Sequence, residues 1–153
     1  CFEEKWIMAT VSDVLKKRKP GELAVLPPDA TVRDALQLMA DRGIGSVVVM
    51  DGELLEGIFT ERDYARRIVL AGLHSADTRL IDVMTRRLYV VHPDETVQEC
   101  LGIMTQARIR HLPVVVDKRI AGLVSIGDLV NYMLEEQRFM IQQLESYISG
   151  GMG

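Results

Sequence analysis

Cysteine, aromatic residues and long apolar runs are all scarce in this sequence, and each scarcity closes off a class of protein. Two cysteines, Cys1 and Cys100, are too few and too ill-placed for a disulfide framework. Cys100 falls among apolar residues of an expected helix, where a free thiol acts as a small hydrophobe, so a reduced, cytoplasmic protein is expected. Phe, Trp and Tyr make up only 5% of the 153 residues, which leaves Val, Leu, Ile, Met and Ala to fill the core. No apolar run approaches the about 20 residues that cross a bilayer, and the N-terminus has no basic segment leading into an apolar stretch. No membrane role is expected. Met8 is the expected start of the native chain, with residues 1–7 set aside as a leader. The formal net charge is −4, so any phosphate site has to come from a local cluster of cations.

Signatures of chemistry are missing too. There is no Gly-x-Ser-x-Gly, no phosphate-loop Gly-Lys-Ser/Thr and no nucleophile–base arrangement, so no enzyme activity is expected. His74, His92 and His111 lie far apart without metal-ligand spacing. Lys16, Lys17, Arg18 and Lys19 precede Pro20, but so short a run in an acidic protein reads as a solvated loop, not a nucleic-acid patch. One of its lysines, Lys19, is a candidate to reach a bound phosphate.

What the sequence does contain is a duplication. Residues 28–64 align without a gap on residues 93–129, an offset of 65, and ten of the 37 pairs are identical. Upstream, Asp13-Val14 aligns on Asp82-Val83 if four residues around 19–22 are an insertion in the first copy. Each copy reads as a short apolar strand (23–26 or 88–91), a proline turn, and a helix capped by Thr31 or Thr96. Asp34 or Glu99 stands three residues on, a capping box in both. A β-hairpin follows, joined by Asp51-Gly52 in the first copy and by Asp117-Lys118 in the second, and then another helix. The fold class is therefore mixed α+β, two βαββα repeats packed about a pseudo-twofold axis with a long C-terminal helix. The expected boundaries are an extension over 1–10, repeats over 11–71 and 80–135, a linker over 72–79 and a C-terminal extension over 136–153. The last helix carries a surplus apolar stripe that includes Leu129, Met133, Met140 and Leu144: one reading lays the helix across its own domain, and the sharper one, adopted as the expectation, is a homodimer contact.

The pattern Gly-hydrophobic-hydrophobic-Thr/Ser-x-x-Asp ends both hairpins, as Gly57 to Asp63 and as Gly122 to Asp128. One reading is purely structural: Thr60 or Ser125 caps a helix, and the Asp in the first turn answers the macrodipole. The other is functional. A helix N-terminus suits a phosphate, and an Asp one turn in suits the two hydroxyls of a ribose. Both readings hold together, and twin occurrences on a twofold scaffold suggest twin sites.

The order of these elements, Asp-Val-Met-Thr over 82–85, Ile109-Arg110-His111-Leu112-Pro113-Val114-Val115, and the two Gly-x-x-Thr/Ser-x-x-Asp segments together resemble a tandem pair of cystathionine-β-synthase (CBS) domains, a Bateman module. That resemblance implies a regulatory protein that binds AMP, ADP or ATP, or NAD, or less favourably S-adenosylmethionine, in clefts between the copies. It implies Asp63 and Asp128 on ribose, and Thr60 and Ser125 on phosphate or ribose. It further implies Val25, Val90, Ile44 and Ile109 around adenine, and Arg110 and His111 on phosphates. Ser46, Arg62, Thr85 and Pro113 complete the expected set. The first copy has Gly45 and Ser46 where the second has Arg110 and His111, so the two sites are expected to be unequal. Because Arg62, Arg66 and Arg67 surround Asp63, its site is expected to take the ligand with more phosphate charge. The regulated partner protein is expected in trans. The competing expectation is a structural oligomerisation module whose clefts bind no nucleotide.

Overall fold

The computed structural model describes residues 9–17 and 23–152; Met8 and Lys19 lie outside the described residues. A short helix α1 (Val11–Lys16) comes first, followed by strand β1 (Val25–Leu26), helix α2 (Val32–Arg42) and the hairpin β2 (Ser46–Asp51) and β3 (Leu54–Thr60). Helix α3 (Glu61–Asp63) then widens into a π-helix over Tyr64–Val69. A second short helix α4 (Leu80–Val83) opens the second half, which continues with α5 (Val97–Ala107), β4 (His111–Val116), β5 (Arg119–Ser125) and the long α6 (Ile126–Met152). This is the expected mixed α+β repeat with a long final helix. One sheet has the order β1-β2-β3, with β1 parallel to β2, and the other is the β4-β5 hairpin.

The strand expected over residues 88–91 shrinks to one parallel bridge, Val91 to Val114. The reason is a missing donor. In the first repeat the Val48 N–H donates to the Ala24 carbonyl at 2.9 Å. The position equivalent to Val48 is Pro113, which has no N–H, so the matching rung to Tyr89 cannot form. The first hairpin turn also differs from expectation, while the second falls where expected. Asp51 pairs with Leu54, so the first turn is Gly52-Glu53, while Asp117-Lys118 fills the second with φ of 50° and 66°.

Helix caps separate the copies further. Thr31 accepts from Asp34 N–H at 3.1 Å, and the Asp34 carboxylate accepts from Thr31 N–H at 3.1 Å, a complete box. Thr96 accepts from Glu99 N–H at 3.0 Å, but Thr96 has only this half of the box. Helix α2 ends at Gly43 in the left-handed region, with φ 63°. Its counterpart α5 ends there on Arg108, with φ 55°, a conformation that costs a side chain about 1 kcal/mol.

The cores are crossed. Leu80, Val83 and Met84, at the start of the second repeat, are buried with Val32, Met39, Val47 and Phe59 of the first. Val11 and Val14, at the start of the first repeat, are buried with Val97, Cys100, Leu112 and Leu129 of the second. Backbone bonds fix each exchange: Val11 N–H donates to Glu95 O, and Val97 N–H to Ala9 O. On the other side Leu80 N–H donates to Ala30 O, and Ile58 and Thr85 exchange bonds at 3.0 and 2.8 Å. A third cluster, Val48 and Ile58 against Leu123, joins the two sheets. The motif glycines make the crossing possible. A Cβ on Gly57 would sit 2.7 Å from the Thr85 carbonyl, and one on Gly122 would sit 2.8 Å from Leu15 Cδ2.

Candidate functional site

Strand β3 delivers Thr60 in extended conformation, and the chain turns into α3 at once, so Asp63 comes round to face Thr60. The Asp63 Oδ2 accepts from Thr60 N–H at 3.0 Å and from Thr60 Oγ1 at 3.2 Å, while Thr60 Oγ1 accepts from Asp63 N–H at 3.2 Å. Thr85, from the exchanged segment, donates its hydroxyl to Asp63 Oδ1 at 3.0 Å, and Arg67 Nε lies 3.9 Å from the same oxygen. Arg67 also donates to the carbonyls of Val83 and Met84 at 2.8 and 2.9 Å. Asp63 is one of two buried polar residues among those described, at 8% exposure. A carboxylate held this way keeps a fixed edge toward whatever enters.

The Asp128 end follows the same plan. Ser125 N–H donates to Asp128 Oδ2 at 2.8 Å, and Ser125 Oγ accepts from Asp128 N–H at 3.1 Å. The first N–H of each helix is already taken: Glu61 N–H donates to Gly45 O at 3.1 Å and Ile126 N–H to Arg110 O at 2.9 Å. Main-chain donors at these helix starts are therefore largely engaged, which leaves side chains as the open donors of the two ends.

Both carboxylates face cavities walled by residues of the two repeats. The larger, about 730 Å³, brings together Thr60, Arg62, Asp63, Thr85, Ile109, Arg110, His111 and Pro113 of the expected set. Sequence reasoning also placed Arg66 and Arg67 near Asp63, and both line it. It missed Arg87, Arg108, Leu88 and Tyr89, which enter from the start of the second repeat and from the end of α5. Six arginines thus surround two carboxylates, Asp63 and Glu61. Among the described residues Arg66, Arg87 and Arg110 have no hydrogen bond or ion pair from their side chains, whereas Arg62 donates to the Arg108 carbonyl at 2.8 Å.

The smaller cavity, about 320 Å³, brings together Ile44, Ser46, Ser125 and Asp128 with Leu23, Ala24 and His111. No lysine or arginine lines it among the described residues. His111 borders both cavities. Val25 and Val90 line neither: Val25 is 40% exposed and Val90 49% exposed. The first-strand walls are instead Leu23 and Ala24 in one cavity, Leu88 and Tyr89 in the other. These walls are built by the chain leading into each short first-strand pairing, ahead of Val25 in one repeat and of Val91 in the other. No group of His, Cys, Asp and Glu among the described residues could hold a metal ion, and no described helix is long and apolar enough to cross a membrane.

Known proteins match this arrangement. The family model of the CBS domain matches twice, over residues 11–70 and 80–135. The chain is 41% identical over 150 residues to the mitochondrial CBS domain-containing protein CBSX3 of Arabidopsis thaliana, covering 93% of this chain and 73% of that one. A solved structure of a protein with CBS domains from Burkholderia ambifaria MC40-6 is 41% identical and superposes with a TM-score of 0.79, over 84% of this chain and 96% of that one. The CBS domain pair of protein MJ0100, solved in complex with 5′-methylthioadenosine and S-adenosyl-L-methionine, shares the fold with a TM-score of 0.71 at 24% identity. That match covers 84% of this chain and 98% of that one.

Proposed function

This chain belongs to the CBS-domain family, as a tandem pair, and from that premise we propose that it is a non-enzymatic regulatory module that senses adenine nucleotides for a partner protein. The observation that carries the reading is the larger cavity, where a buried, hydroxyl-buttressed carboxylate stands among six arginines. Asp63 accepts the ribose hydroxyls, with Thr60 and Thr85 turning their own hydroxyls aside. Arg66, Arg87 and Arg110 meet phosphates, and Ile109, Leu88 and Pro113 hold the base. AMP, ADP or ATP suits this cavity, with NAD as a longer alternative. The smaller cavity, with Asp128 and Ser125 but no described cation, suits an adenosyl group without phosphates, the chemistry that the MJ0100 pair holds in the same fold. The protein acts in a reducing compartment, the cytoplasm, as a homodimer, and its partner is supplied in trans.

The signal is a population shift. Bound phosphate competes with the Arg108 carbonyl for Arg62, and bound ribose competes with Thr85 for Asp63. Each exchange loosens a bond between the two halves, and a partner reads the arrangement that results. Thermal-shift titration with AMP, ATP, NAD and S-adenosylmethionine tests the reading, because a ligand of the native state raises its stability as concentration rises. A rise with at least one adenine nucleotide, lost on Asp63→Ala, supports it. A flat response to the whole panel returns the protein to the structural oligomerisation reading.

A further inference from the structure

Helix α6 does two jobs on two faces. Leu129 is fully buried in the second repeat's core, Tyr132 and Met133 pack on that core, and Glu135 and Glu136 hold Lys17 of the chain just after α1 at 3.1 and 4.0 Å. About a third of a turn away runs a different line of residues: Val130, Leu134, Gln137, Ile141, Leu144 and Ile148. Their spacing alternates between three and four, which is the heptad seam of a coiled coil, with Leu134, Ile141 and Ile148 at a and Val130, Gln137 and Leu144 at d. The five apolar members are 42 to 59% exposed, so the seam has no partner among the described residues.

From this seam we infer that α6 pairs with α6 of a second copy of this chain, in antiparallel orientation. Charge selects the direction. The e positions beside the seam are Arg138 and Glu145, and the g positions are Met140 and Tyr147. An antiparallel pair centred between Ile141 and Leu144 stacks Ile141 on Leu144 and Gln137 on Ile148 of the second copy, so the paired stretch is 137–148; it sets Arg138 against Glu145, twice by symmetry, and Met140 against Tyr147 on the other flank. A parallel pair sets e against g, which leaves both charges facing methionines. Only the antiparallel pair joins opposite charges, and an isologous twofold contact is the commonest closed assembly. This inference deepens the homodimer of the proposed function. Its failure is separable from that of nucleotide binding, because sedimentation reads the helix and titration reads the cavities.

Sedimentation equilibrium of the full chain tests it. Leu144→Glu, at a position 56% exposed and so tolerated by the fold, is expected to give monomers. Arg138→Glu and Glu145→Arg are each expected to weaken dimerisation on the order of tenfold, and the double variant to restore it, since each reversal turns two opposite-charge contacts into like-charge ones. Circular dichroism melting shows whether each variant is folded. A monomeric native protein, a dimer that survives Leu144→Glu, or charge reversals that show no restoration in the double variant would each overturn the antiparallel pair.

Discussion

Asp63 and Asp128 occupy matching places at the start of matching helices, and each is held by the hydroxyl residue three before it. Their surroundings nonetheless differ. Asp63 looks across at Arg108, Arg110 and His111 of the second repeat, whereas Asp128 looks across at Gly43, Gly45 and Ser46 of the first. Each cavity is a hybrid: one repeat supplies the carboxylate and the other supplies the far wall. A duplication therefore need not yield duplicate sites. Substitutions in one copy alter the carboxylate of its own cavity and the opposite wall of the other.

The largest expected effect breaks the comparison at its glycines. Gly57→Ala drives a Cβ into the Thr85 carbonyl, which cannot move without parting the exchanged segment, and is expected to cost about 3 kcal/mol of unfolding free energy. Gly122→Ala meets only the end of the Leu15 side chain, which can rotate, and about 1 kcal/mol is expected. Urea denaturation of both variants measures the difference; equal losses would show that the two crossings are equally rigid.

Next comes the carboxylate itself. Asp63→Ala is expected to weaken ATP binding about ten- to a hundredfold, from the loss of roughly 1.5–3 kcal/mol of charged hydrogen bonding. Asp128→Ala is expected to leave that affinity within about twofold, because the arginines stand in the other cavity. Isothermal titration of the two variants decides it. The site assignment fails if Asp63→Ala leaves every nucleotide affinity unchanged.

A smaller effect separates Gly43 from its counterpart Arg108. Arg108→Gly relieves a left-handed backbone and is expected to raise stability by about 1 kcal/mol while weakening the binding of polyphosphates. A variant that melts higher and binds ATP as before would mean that the strained residue serves no ligand.

An effect that vanishes near neutral pH sits in the second core, where Cys100 is the counterpart of Ala35 in the first. Burial pushes the Cys100 thiol up from 9.0 to about 11, with the charges of Glu95 and Glu99 adding to it. Its neutral form is thus favoured in the folded state. Stability is undiminished below pH 9 and falls as pH rises from 9 toward 11, where the unfolded thiol ionises first. Melting temperatures across that window, native against Cys100→Ala, read this contribution; parallel curves would remove it.

The sequence made the duplication, both hairpins, the caps and the twin carboxylates legible, because each depends on local spacing. Leu80 and Val11 gave no local sign of which core they enter, since an apolar pair on a short helix fits either repeat. The absent rung at Pro113 was readable in principle: a proline at the place of Val48 removes one donor and with it a strand. Arg87 and Arg108 escaped notice because they reach the larger cavity from segments outside the Gly-x-x-Thr/Ser-x-x-Asp pattern.

The crossed leader helices also constrain how this molecule can move. Two bodies that each hold a piece of the other behave like clasped hands: they can twist or slide, but they cannot swing apart without both grips failing. A chain severed between Gly72 and Arg79 should accordingly give fragments that fold only in each other's company, each lacking the lid that the other carries.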